Sequence, residues 1–440
     1  MTLLATGHFT YTPPLGRPNI ADGASVPDSF NYTVKNSADA TLAATGTVTI
    51  NLSGRVWYLQ AGAAGDGRSN TPSASPSAMS TAADKSTDIF YIFSNAGSLN
   101  SLFTVDAGQQ LLGQGVNLIV NSITLFTAAA PTPTTTNGAG NGVTLAGAPG
   151  NNVLSGFNIG TCSGAAIFGS NVGTLTISTM TINTTGAGLD LTGVSTPAVS
   201  ISLTSLTSSS GAKNVNLVGL NGTIGLGSGA LSGASGNAFD VSGAGNAIIS
   251  YSGTIGNTAA RSVNVASKNA GSVLLSGAVS GSGTGISLTS NTGAVISFTG
   301  GISLSTGANA AFTATGGGTV SATQNNTSIV NTLTTTSGTA LNVTSTTISA
   351  AFGLTFRSIS SNGAANGIVL NTTGASGNLI VSGNGGSCTS VATCTGGAIQ
   401  NATSHGILMT STLHPSFTRM AIQNTAGSGI KGTTVTNFTR

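Results

Sequence analysis

Two aspartates stand fifty positions apart in matching surroundings, GAGLDLTG at residues 186–193 and GNAFDVSG at 236–243. Carboxylates repeated in this way can share a cation, act as acid and base at a glycosidic bond, or accept hydrogen bonds from a polymer. Acids are scarce: the 440-residue chain has 9, all aspartate, and beyond residue 106 only Asp190 and Asp240 remain. Each is the middle residue of an apolar–x–apolar triplet, as are Asn216 and Asn264. Strand side chains alternate, so a middle residue points away from the interior.

Such triplets recur. Their first members are Val143, Ile167, Leu189, Val215, Phe239, Val263, Ile286, Phe312, Leu341, Ile368, Ile407 and Ile430, at a mean interval of about 26 residues. Each interval holds further short apolar runs, such as LTISTMTI and VISFTGGI, separated by Gly, Asn and Ser. No stretch keeps a helical period, and Gly interrupts every run. The pattern predicts an all-β solenoid of two or three short strands per coil, whose coils bury their inward residues only by stacking.

That stacking sets the geometry of the candidate site. Asp190, Asn216, Asp240 and Asn264 fall in one outward column, with neighbouring rungs about 4.8 Å apart. The two aspartates are then about 9.6 Å apart, too far to share a metal or to form a retaining glycosidase pair and at the limit for an inverting pair. The nearest basic residues, Lys213 and Arg261, read as single and unclustered. The four residues are therefore expected to bind a glycan or another surface ligand without catalysis, with no metal or cofactor.

Cys388 and Cys394, in CTSVATC, lie inside the one long interval of 39 residues and are expected to close a disulfide in an extruded loop. Free thiols, or a zinc site recruiting His405 and His414, are the alternatives, although the spacings match no tight zinc pattern. Cys162 reads as a small buried or turn residue, and His8 as a surface residue. LLGQGVNL lacks the helix that a phosphate-binding loop must open.

Charged residues make up 5% of the chain, and 12 basic residues are scattered singly, which excludes a nucleic-acid surface. No apolar run is long enough to form a transmembrane helix, and the opening MTLLATGHFTYTPP lacks the pattern of a signal peptide. Calcium-binding nonapeptide coils would need an Asp in every repeat, and an ice-binding face would need a regular Thr array.

The strands HFTYT, SFNYTV and ATGTVTI, within residues 7–50, resemble the C-terminal half of the cadherin-like or immunoglobulin-like modules of bacterial surface proteins. The missing first half, and the break in pattern at Arg440, imply a truncated chain. WYLQAGAAGDGR at 57–68, DIFYIF at 88–93 and QQLLGQG at 109–115 resemble the opening coils of right-handed parallel β-helices of the pectin-lyase-like superfamily. That resemblance implies the fold alone, because the superfamily's clustered catalytic carboxylates and basic residues have no counterparts here. Trp57 and Tyr58 are expected to plug the start of the stack, and AAAPTPTTTNGAG at 128–140 to form a surface loop.

The expected organisation is a partial β module at 1–54, opening coils and a loop at 55–140, and regular coils at 141–440. The expected role is that of a structural or adhesive rod in an exported bacterial protein, extracellular or at the cell surface. A polysaccharide lyase or hydrolase of the same fold, and a fibre subunit associating head to tail, are the alternatives.

Overall fold

The computed structural model describes residues 2–3, 9–10, 26–35, 38–39, 41–52, 55–76, 87–120, 122–147, 149–194 and 198–440. The described elements are strands, and from Val56 onward they wind into a right-handed parallel β-solenoid of about 14 turns, each of about 24 residues. The 26-residue mean read from the sequence is inflated by the single long interval.

Three strands make a turn. The chain passes from sheet I (Val143–Leu145) to sheet II (Asn152–Ser155) and sheet III (Asn158–Cys162), then returns to sheet I at Ile167–Val172. Sheet I comprises thirteen strands among the described residues, from Phe103–Val105 to Ile430–Thr436, and sheet III thirteen from Ser98–Asn100 to Ala421–Gln423. Sheet II begins at Val56–Leu59 and ends at Ser416–Phe417.

The twelve triplets all lie in sheet I, and their first members pair in unbroken register from Val143 to Ile430. Eleven are fully buried, while Ile430, in the last strand, is half-buried. Phe103 extends the register by one coil. Each inward side chain rests on its equivalents above and below, so truncating one to Ala would cost about 2–5 kcal/mol and would be felt by both neighbouring coils.

Close backbone contacts and buried amides hold the coils together. Gly222 sits at φ +99, where a side chain would meet the Val199 backbone. Buried asparagines act differently: the Asn331 amide donates to the carbonyls of Thr323 and Thr355 at 3.1 and 2.7 Å, sewing adjacent coils together.

Several local expectations are corrected. Thr134–Asn137 is a strand of sheet III rather than part of a surface loop, pairing with Ser98–Asn100 and Asn158–Cys162 and burying Thr135. Trp57 packs on the core, but Tyr58 does not plug the stack. It joins Tyr91, Phe93 and Phe126 in a separate aromatic cluster, with ring centroids 4.9 Å apart for Phe93–Phe126 and 5.4 Å for Tyr58–Phe93. The antiparallel pair Leu118–Val120 and Ile123–Phe126 contributes to this cluster. Before residue 55 the described strands pair antiparallel, Val26–Lys35 with Ala43–Leu52 and Thr2–Leu3 with Phe9–Thr10. His8 lies outside the described residues.

Candidate functional site

The outward column exists as a run of paired neighbours. Phe168 pairs with Asp190, Asp190 with Asn216, Asn216 with Asp240, and Asp240 with Asn264. The expectation of a uniformly exposed ladder is corrected: Asp190, Asn216 and Asn264 are half-buried, and Asp240 is only 4% exposed.

Lys213 is the reason. It leaves the turn before the Val215–Val218 strand and places Nζ 2.6 Å from Asp240 Oδ2 and 2.9 Å from Asn216 Oδ1. Asn264 Nδ2 donates to Asp240 Oδ1 at 2.8 Å, and Asn237 Nδ2 donates to Asp240 Oδ2 at 3.1 Å. Asp240 therefore has an ammonium and two amides around it, which is the bonding a buried carboxylate requires. Lys213 is not unclustered, as the sequence suggested, but the centre of the group. Arg261 stays outside it, donating to the Thr284 carbonyl at 3.2 Å.

The two aspartates consequently differ in role. Asp190 accepts from Asn216 Nδ2 at 2.7 Å and lies beside an open cleft, whereas Asp240 is absorbed by its own partners. The relay runs from Lys213 through the Asn216 amide to Asp190, with Asn216 accepting at one end and donating at the other.

The cleft has a volume of about 370 Å³, within the range of small-molecule sites. It follows the corner between sheets III and I across four successive coils. Phe168, Asp190, Asn216 and Lys213 line it together with Asn141 and Ser163, and Gly164 and Gly211 let adjacent coils approach closely beneath it, since a Cβ at either would meet the neighbouring coil. Asp240 and Asn264 lie outside it. The four-residue site read from the sequence thus divides into two residues at the cleft and two that are built into the wall behind Lys213. Phe168, which broke the polar pattern of the column, was the unrecognised signal of the cleft.

Cys388 and Cys394 form a disulfide with a Cα separation of 4.3 Å, so neither thiol is available to a metal. His405 Nδ1 accepts from the Ser428 amide at 3.0 Å, and His414 Nδ1 lies 3.4 Å from Asn437 Nδ2. Among the described residues no three His, Cys, Asp or Glu side chains gather as metal ligands. Cys162 is buried in sheet III, where burial raises its thiol pKa.

One further cation escaped the sequence reading. Lys268 is only 1% exposed and donates from Nζ to the Gly245 carbonyl at 3.2 Å, beside a void of about 10 Å³ walled partly by Leu217, Leu220 and Ile249. Burial pushes its pKa down to about 8. The void is too small for a ligand, so this lysine belongs to the frame.

Among the described residues no helix is long and apolar enough to cross a membrane. Comparison of the chain with protein-family models, curated proteins and solved structures returned no match.

Proposed function

We propose that this solenoid is the rod of an exported surface protein and binds a glycan in the cleft of Phe168, Asp190, Lys213 and Asn216, without catalysis. The observation that carries the reading is the composition of the cleft wall. An aromatic face beside a carboxylate and an amide is the chemistry that receives a sugar ring's apolar face and its hydroxyls. The cleft crosses several coils, so a linear polymer can lie along it. The disulfide supports an oxidising location.

A lyase or hydrolase of this fold is the second reading, favoured by one observation: a basic residue stands among Asp190, Asn216 and Asp240. The non-catalytic reading is preferred because Lys213 Nζ is engaged by Asp240 and Asn216, and Asp190 and Asp240 stand two rungs apart, about 9.6 Å, at the limit for an inverting carboxylate pair. Titrating neutral, acidic and amino oligosaccharides into the purified chain, and into a Phe168→Leu/Asn216→Ala variant, tests the proposal. Saccharide binding that the variant loses supports the cleft, and unchanged binding refutes it. Release of shortened or unsaturated oligosaccharides by the parent chain would replace the binding reading with the enzymatic one.

A further inference from the structure

Resting on the glycan reading above, we infer that the cleft selects an amino sugar, seating its protonated amine between the ring of Phe168 and the carboxylate of Asp190.

Bonding within the site separates its charges. Asp240 carries an ion pair and two amide bonds and is buried, so its charge is matched internally by Lys213. What remains for a ligand is the carboxylate of Asp190, with one amide donor on Oδ1. An anionic sugar would bring its charge towards this carboxylate, while the nearest cation is already drawn to Asp240. A neutral sugar would leave a half-buried carboxylate without an ionic partner. A cationic group satisfies it.

Phe168 adds the second half of the argument. It occupies the rung next to Asp190 in the same column, so the two side chains leave adjacent strands about 4.8 Å apart and line the same cleft. A ring face beside a carboxylate is a composite cation site: the ring's quadrupole and the carboxylate both attract an ammonium, and partial burial strengthens both. At the other end Lys213, its side chain 37% exposed, repels a second cation and donates to oxygen. The cleft is thus polarised along its length, cation-accepting at Phe168 and Asp190 and oxygen-accepting at Lys213. A sugar with an amine on one edge and hydroxyls on the other matches that order, whereas a lysine side chain offers nothing to the Lys213 end.

The test compares a β-linked glucosamine oligomer with its fully N-acetylated counterpart of equal length. Calorimetry on the intact chain would be run in buffer acid enough to keep the sugar amine protonated. The amine form should bind about tenfold more tightly, the worth of one charge-assisted contact with a cation–π contribution. Asp190→Asn keeps an acceptor for Asn216 and should erase the preference without changing the thermal unfolding midpoint. Phe168→Leu keeps apolar bulk and should weaken binding of the amine form.

Equal binding of the two oligomers, unaffected by Asp190→Asn, would overturn the cation seat and leave the glycan reading standing. Binding of neither would overturn the amino-sugar assignment, whereas the glycan reading falls only if the neutral and acidic oligosaccharides also fail to bind. A lysine-containing peptide binding as tightly as the amino sugar would overturn the sugar assignment in favour of a protein partner.

Discussion

Lys213 Nζ stands 2.6 Å from Asp240 Oδ2 although the two residues belong to successive coils, so one ion pair ties a surface turn to a carboxylate that is otherwise sealed. Replacing Lys213 by Met leaves that carboxylate with amides alone. Because the lysine is partly solvated, the expected loss is about 2–3 kcal/mol, below the cost of breaking a fully buried pair. Urea unfolding should show it, and adding Asp240→Asn should restore at least half.

Lys268 predicts a pH signature. Its ordinary pKa of 10.5 falls to about 8 on burial, so between these values the unfolded chain binds a proton that the folded chain does not. The resulting penalty is fully present below pH 8 and disappears as pH rises past 10.5. Lys268→Met should therefore stabilise the protein at neutral pH, on the order of 3 kcal/mol, with the advantage fading in alkali. The comparison to make is the difference between wild type and variant along a pH series of denaturation curves, which removes the contribution of tyrosines.

Asp88 predicts a local failure. This fully buried carboxylate accepts from Trp57 Nε1 at 2.8 Å and Arg55 Nη2 at 3.0 Å. Asp88→Ala should cost about 3–5 kcal/mol in the opening coils, because these donors and the Arg55 backbone amide lose a buried acceptor. Solenoid coils depend on their neighbours alone, so the damage should stay at that end. Trp57 is the chain's single tryptophan, and its emission should shift at lower urea than the β-sheet circular dichroism does. Coincident transitions would contradict the localised picture.

Gly186 predicts a coupling between backbone spacing and binding. A Cβ there would run into the carbonyl oxygen of Gly164, which lines the cleft. Gly186→Ala should cost about 1–3 kcal/mol by overpacking, and glycan affinity should fall as the corner shifts. Stability lost with affinity retained would show that the corner does not shape the site.

The interior of this protein was legible because sheet I repeats one apolar rule coil after coil, so Val143 through Ile430 could be aligned by spacing alone. Phe103 was missed because the Leu118–Phe126 hairpin swells the coil that follows it. Thr134–Asn137 hid as a loop because its threonines adjoin prolines, whereas pairing on both sides makes it a strand. The cleft was half legible. Its column followed from alternation, but the reach of Lys213 into the next coil depends on a side-chain path that no periodicity encodes. Nothing around Lys268 in the sequence distinguishes it from a surface lysine; the surrounding coils alone bury it.

Ile368 and Ile407 are strand neighbours although 39 positions separate them, against about 24 for an ordinary turn. The extra chain, with its disulfide-closed turn, leaves through a corner and returns without altering the pitch of the ladder. New sequence in such a molecule accumulates sideways: the rod's length is set by the number of coils, while its outline can diversify one corner at a time, each addition screened only for whether its two ends meet.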